Sequence, residues 1–124
     1  MRLTLENHFL ITHAGCMDGS AAAIMFMHAG GLKKNIRYVT PDKVDECIAE
    51  SSVFKNPSNQ VLFVDVCPHS DDAYDYLERR GNFTVIDHHK SGVKFAGRPG
   101  FLIDVDNKAC GSENFRLWLA VRAL

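Results

Sequence analysis

The chain has 124 residues, of which 46% are apolar and 23% are charged, a composition typical of one ordinary globular domain. Fourteen basic against fifteen acidic residues leave a formal net charge of -1, which argues against a basic face for duplex nucleic acid. No apolar run approaches the length of a membrane span, the N-terminus lacks the apolar core of a signal peptide, and the four cysteines form no Cys-x-x-Cys pair. We therefore expect a cytoplasmic protein with reduced thiols and no contact with a membrane.

The first half of the chain predicts two strands and two helices. Residues 8–12 form an apolar run that leads into His13, and an Ala- and Met-rich helix opens at Asp18-Gly19-Ser20 and ends before Gly30-Gly31. Residues 36–39 are a second strand. Thr40 and Pro41 are then typical of a helix start, with a hydroxyl at the N-cap.

The second half continues the alternation after a predicted loop over 51–59. A strand at 61–64 ends at Asp65. Ser70-Asp71-Asp72 then begins a helix that has acids in its first turn, Arg79 and Arg80 in its last turn, and Gly81 just beyond its end. The apolar run 83–86 ends at Asp87-His88-His89, residues 90–100 are loop-like, and the run 101–103 leads to Asp104 and Asp106. A last helix opens at Gly111-Ser112.

This β-α-β-α-β-α-β-(β)-α order predicts an α/β fold: a Rossmann-like, three-layer α/β/α arrangement with a mostly parallel sheet of about five strands. Residues 1–124 are expected to form one domain. Ligands of such sheets bind beyond the carboxyl ends of the strands, which is where the acids and histidines fall.

The polar residues at these strand ends are metal-type ligands. Carboxylates and imidazoles suit divalent ions, and more acids than one ion needs indicates two ions with a shared carboxylate. Asp65 is the candidate bridge. The predicted ligands are His13, Asp18, Asp65, His88 and Asp106, with Asp104 as the alternative to the last.

Asp87-His88-His89, preceded by Asp65 and by His13 ahead of Asp18-Gly19, resembles the DHH phosphoesterase superfamily. That family includes single-strand exonucleases, nanoRNA and cyclic-dinucleotide phosphodiesterases, exopolyphosphatases and family II pyrophosphatases. The resemblance covers nearly the whole chain as the family's N-terminal catalytic domain. It implies metal-dependent hydrolysis of a small phosphodiester or phosphoanhydride, such as a short oligoribonucleotide, a nucleotide or polyphosphate. Mn²⁺ is the expected ion, with Mg²⁺, Zn²⁺ or Fe²⁺ as alternatives.

The resemblance also assigns roles to single residues. It implies that His13 and Asp18 are ligands of the first motif, that Asp65 bridges, that His88 binds metal and that Asp106 is the ligand of the fourth motif. His89 would face the substrate phosphate, and Asp87 would be a supporting acid beside it. Residues that follow these motifs and could contact phosphate through a charge or a helix start are Lys90, Gly111 and Ser112.

Two departures from the family pattern leave alternatives open. Cys16 stands where the family usually has the first acid of Asp-x-Asp, although a subset has His-x-Gly-Cys-x-Asp-Gly. Cys16 is either a softer ligand favouring Zn²⁺ or Fe²⁺, or a spectator beside a weakened site. The family's C-terminal substrate lobe is also absent. A metal- or nucleotide-binding module without turnover is therefore one alternative, and a Cys16 nucleophile with His13 or His88 as base is another. The apolar last helix predicts either a missing domain or a homodimer contact.

Overall fold

The computed structural model describes residues 4–103 and 111–122. They form a five-stranded, all-parallel sheet in the order β2-β1-β3-β4-β5, and the predicted α/β, Rossmann-like fold is confirmed. The strands are β1 His8–His13, β2 Ile36–Val39, β3 Gln60–Val64, β4 Phe83–Asp87 and β5 Phe101–Ile103. The helices are α1 Met17–His28, α2 Val44–Glu50, α3 Asp71–Arg80 and α4 Gly111–Arg122.

Helices cover both faces of the sheet because alternate strand residues are apolar on both sides. On one face Leu62 and Ile86 pack against Phe26 of α1 and Phe115 of α4. On the other face the adjacent strand residues Phe63 and Val85 pack with Val44 and Ile48 of α2 and with Leu77 of α3. The two buried clusters hold β3 at the centre of the sheet.

The predicted helix boundaries are correct at α3 and need correction at α1 and α2. At α3 the hydroxyl of Ser70 accepts from the backbone N–H of Ala73 at 3.1 Å, and Gly81 ends the helix with φ 75°. α1 begins at Met17 rather than at Asp18, because the sulfur of Cys16 caps it. Thr40 does not cap α2, since a 3₁₀ turn over Pro41–Lys43 precedes that helix.

Two segments predicted as loops contain 3₁₀ turns, Ser52–Lys55 and Lys90–Phe95. Phe54 and Phe95 are fully buried in these turns. The Asn, Ser and Gly content of both segments predicts loops. Burial of one large aromatic side chain in each segment stabilises an ordered turn there.

A carboxylate contact joins the start of α3 to α2. Both oxygens of Asp45 accept backbone N–H groups, from His69 at 2.8 Å and from Ser70 at 3.1 Å. These two hydrogen bonds hold the segment after β3 against α2. None of the helices within residues 4–103 and 111–122 is long and apolar enough to cross a membrane.

Candidate metal centre

Three neighbouring strands place polar residues at the same edge of the sheet. His13 is the last residue of β1, Asp65 directly follows β3, and Asp87 ends β4 ahead of His88 and His89. The register aligns these positions, since Thr12 pairs with Val64 and Val64 with Ile86. The sequence prediction that these side chains converge is thus matched by their placement at adjoining strand ends.

Asp65 occupies the middle of this edge in an unusual backbone conformation. Its φ is 67°, in the left-handed region that non-glycine residues rarely adopt and that Asp and Asn tolerate best. Its N–H donates to the carbonyl of Ile86 at 3.0 Å, which ties the turn to β4. The residue is only 2% exposed. Such backbone outliers persist where surrounding structure holds them, often at functional sites.

His13, Cys16 and Asp65 form a first group of possible ligands, whose ligand atoms lie within 4.8 Å of one another. The Cys16 thiol donates to Oδ2 of Asp65 at 3.3 Å. Nδ1 of His13 lies 2.8 Å from the carbonyl of Ala14, so this nitrogen carries the hydrogen and Nε2 keeps its lone pair. A histidine held in this way is prepared to bind a metal through Nε2.

Asp65 also belongs to a second group, with Asp87, His88 and His89, within the same 4.8 Å limit. Nε2 of His88 lies 3.1 Å from Oδ1 of Asp65 and 3.6 Å from Oδ2 of Asp18. Asp18 in the first turn of α1 therefore joins the cluster through His88. The carboxylate of Asp65 faces both ligand groups at once, which is the position that a bridging ligand needs.

Asp87 orients the two histidines that follow it. Its Oδ1 accepts the backbone N–H of His88 at 2.8 Å and lies 2.6 Å from Nδ1 of His89. That contact places a hydrogen on Nδ1 of His89. The other ring nitrogen, Nε2, lies 4.0 Å from Oδ1 of Asp65 and faces the cluster. Asp87 thus contacts both histidines, and its role as a supporting acid stays a prediction.

Burial raises the pKa of the Asp65 carboxyl above its ordinary value; the thiol of Cys16 opposes that shift, and the neighbouring carboxylate of Asp18 adds to it. Among the described residues, the only basic side chains paired with Asp65 and Asp87 are histidines, and no Lys or Arg is paired with either acid. A buried carboxylate with a second carboxylate beside it is costly without a compensating charge. A divalent cation would supply that charge, so the donor set and its electrostatics fit a metal ion.

Cys16 has a chemical environment that disfavours the thiolate in the absence of metal. Burial raises its pKa, the N–H of Gly19 opposes the shift, and the carboxylate of Asp65 adds to it. The thiolate is the nucleophilic form, and this environment weakens the alternative in which Cys16 attacks the substrate. It leaves the ligand role open, because a bound metal itself removes the thiol proton.

Replacing Cys16 with Asp is expected to change metal preference without unfolding α1. Asp is as good an N-cap as any residue, so it can replace the sulfur as acceptor of the Gly19 N–H. A carboxylate is a harder ligand than a thiolate, and the ratio of Zn²⁺ affinity to Mn²⁺ affinity should fall by about tenfold or more. Isothermal titration calorimetry with each ion measures this ratio. An unchanged ratio would mean that Cys16 is only a cap.

The other predicted site residues lie in or near gaps of the described chain. Asp104 and Asp106 lie outside the described residues. The backbone of Lys90 begins the 3₁₀ turn after His89, and the backbone of Gly111 and Ser112 begins α4. Cys67 is buried, and burial raises its pKa to about 12.

Two further residues, Thr12 and Gly19, support this edge through contacts that the sequence analysis does not predict. The hydroxyl of Thr12 is buried and donates to the carbonyl of Val64 at 2.8 Å, which joins the ends of β1 and β3 beside the ligands. Gly19 packs its backbone directly on β1, where an added Cβ would overlap the carbonyl oxygen of His13. The first contact joins residues 52 positions apart, and the second depends on how closely α1 packs on the end of β1.

Replacing Gly19 with Ala should push the start of α1 away from β1. Because the clashing partner is a backbone carbonyl, relief requires a backbone shift that costs about 1–3 kcal/mol and moves Cys16 and Asp18 away from Asp65. We expect a lower urea midpoint together with weaker metal binding. His28→Ala, at the exposed end of the same helix, should change neither by a comparable amount. Unchanged metal affinity in Gly19→Ala would contradict the close approach.

Comparison with known proteins does not extend this description. No protein-family model, no curated protein and no solved structure matches the chain. Membership of the DHH superfamily stays a prediction, and the functional argument rests on the geometry at the carboxyl edge of the sheet.

Proposed function

We propose that this chain is a divalent-metal-dependent phosphoesterase of the DHH type, which hydrolyses a small phosphodiester or phosphoanhydride. The observation that carries the proposal is the shared position of Asp65. Its buried carboxylate belongs both to the group with His13 and Cys16 and to the group with His88 and His89. Two ligand groups with one common acid support the two-ion chemistry of phosphoester hydrolysis.

The residues of the chain divide the remaining work. His13, Cys16, Asp65 and His88 would hold the ions, which when bound supply positive charge and lower the pKa of a water molecule. His89 faces the cluster through Nε2 while Asp87 holds its Nδ1. With a second hydrogen on Nε2, beside the carboxylate that holds Nδ1, His89 can donate a hydrogen bond to a phosphate oxygen and stabilise the charge that develops there.

The proposed reaction consumes one water molecule per bond. The water oxygen forms a new bond to phosphorus, the bond from phosphorus to the leaving oxygen breaks, and that oxygen takes up a proton. A phosphodiester thus yields a phosphomonoester and an alcohol, and a phosphoanhydride yields two phosphates.

The three described cysteines are free thiols, which supports the predicted cytoplasmic location.

Hydrolysis of bis-p-nitrophenyl phosphate, with and without Mn²⁺, tests the proposal. Turnover is expected only with metal, and His88→Ala should lower it by at least about 100-fold, because even outer-shell substitutions cost 10–100-fold. His28→Ala is the matched control, since this histidine is exposed and lies on the far end of α1. Activity that survives exhaustive chelation would refute the proposal.

A binding module without turnover is the second candidate. Cys16 in place of an acid favours it, because a thiol that is protonated without metal weakens one ligand group. Tight Mn²⁺ binding by calorimetry, lost in His88→Ala, together with no hydrolysis of any phosphate ester would favour this candidate over the esterase.

A further inference from the structure

Helix α1 is apolar on its outer face as well as on its inner face. Its buried side is formed by Ala22, Ala23 and Phe26. Yet Met17 is 90% exposed and Ile24 is 56% exposed. A surface helix normally carries polar and charged residues on its outer side.

Helix α3 shows the ordinary arrangement in the same protein. Its exposed positions are charged: Asp71, Asp72, Asp75, Glu78 and Arg79. On α1 the one charged residue is Asp18, which is turned to the metal cluster through His88. The outer face of α1 thus lacks the charged residues that cover the exposed side of α3.

This face borders a shallow groove of about 510 Å³ that opens beside the metal ligands. The groove is lined by Gly15, Cys16, Met17, Ser20, Ala21 and Ile24. Cys16 belongs to both places, since its sulfur lies 3.3 Å from Oδ2 of Asp65. A group in the groove that touches Cys16 is therefore adjacent to the cluster.

We propose that this groove binds the organic part of the substrate, a flat and uncharged group such as a nucleobase, while the phosphate lies at the cluster. The inference rests on the proposed phosphoesterase function and narrows its substrate to esters with such a group. Met17 and Ile24 are its specificity residues. A methionine thioether packs well against aromatic rings, and a contact with the face of a base does not depend on which base it is, because every base has a π-face.

Inorganic polyphosphate fits the same surface poorly. Each phosphate unit carries negative charge, and binding such a chain takes Lys, Arg or metal ions along its length. None of the six residues that line the groove is a cation. The chemistry of the lining thus favours an uncharged, flat substituent over a further phosphate.

Two substrates with the same leaving group test the inference. The p-nitrophenyl ester of thymidine 5′-monophosphate and methyl p-nitrophenyl phosphate both release p-nitrophenol, and they differ in the group that can enter the groove. With Mn²⁺, kcat/KM should be about tenfold or more higher for the thymidine ester. Met17→Ser and Ile24→Ser should each lower the ratio of the two values severalfold. Val121→Ser, which changes an apolar residue on α4 that is 63% exposed, should leave the ratio unchanged.

A binding measurement separates this inference from the proposed function. By calorimetry, thymidine 5′-monophosphate should bind about tenfold more tightly than methyl phosphate, and Met17→Ser should remove the difference. If neither ester is hydrolysed but this Met17-dependent preference is present, the esterase proposal fails and the groove remains a binding site for the organic group.

Three results would overturn the inference. One is a wild-type selectivity ratio near one that Met17→Ser does not change. Another is tighter binding of tripolyphosphate than of thymidine 5′-monophosphate. The third is a dimer in sedimentation that Met17→Ser or Ile24→Ser dissociates while selectivity stays constant, because the outer face of α1 would then be a contact between copies of the chain.

Discussion

Asp65→Asn is expected to abolish metal binding and metal-dependent turnover while the chain stays folded. The substitution keeps the size of the side chain and suits the backbone, since Asn tolerates the left-handed φ of 67° at this position. It removes the negative charge common to both ligand groups. Because even outer-shell substitutions weaken metal binding 10–100-fold, we expect losses of at least about 100-fold in affinity and in kcat/KM.

The same variant should be at least as stable as the wild type in the absence of metal. The folded chain raises the pKa of Asp65 through burial, with a further contribution from Asp18, so folding favours the protonated carboxyl. The contribution of Asp65 to stability is therefore complete below the ordinary carboxyl pKa and is lost as pH rises through the higher pKa of the folded state. Asn carries no charge at any pH and does not lose this contribution.

Urea unfolding in a chelator, at several values between about pH 4 and pH 8, measures this effect. The stability of Asp65→Asn relative to wild type should increase with pH over this range. Asp75→Asn, on the exposed side of α3, is the control for a surface carboxylate and should show no such trend. A variant that is less stable than wild type at neutral pH without metal would contradict this account of Asp65.

Arg80→Ala is expected to lower the free energy of unfolding more than Gly19→Ala or Asp65→Asn does. The guanidinium donates five hydrogen bonds to backbone carbonyls, those of Phe54, Asn56, Asn59, Gly81 and Asn82. It also lies 5.7 Å from the centre of the Phe54 ring. One side chain thus joins the end of α3 to the segment before β3. Removing the side chain leaves several carbonyls without their donor. We therefore expect the free energy of unfolding to fall by about 3 kcal/mol.

Chemical denaturation followed by circular dichroism measures this loss. Arg80→Lys should recover less than half of it, because an ammonium group cannot reach carbonyls spread around a planar fork. Arg79→Ala, at the adjacent exposed position, should stay within about 0.5 kcal/mol of wild type. Metal affinity below the unfolding transition should be unchanged, since Arg80 lies at the opposite edge of the sheet from Asp65. Equal losses in Arg80→Ala and Arg79→Ala would contradict the role of this network.

The sequence by itself determined the fold class and the positions of the candidate ligands. Short apolar runs alternate with capped amphipathic helices, and this local pattern requires a parallel sheet covered on both faces. Parallel strands bring their carboxyl ends to one edge, so an acid or histidine after each run meets the others there. His13, Asp65 and His88 could be predicted together for that reason.

Only the tertiary structure decided how these residues are held. The Cys16 sulfur caps α1 and donates to Asp65, which lies 49 residues away, and local pattern carries no signal for that contact. The left-handed backbone of Asp65 and the contact of Gly19 with β1 likewise depend on neighbouring strands and helices. The exposure of the outer face of α1 is a further feature that only the tertiary structure decided. Its Met and Ile content predicts burial, and only packing of the whole chain decides that Met17 and Ile24 stay at the surface, because the sheet can cover one side of a helix and not both.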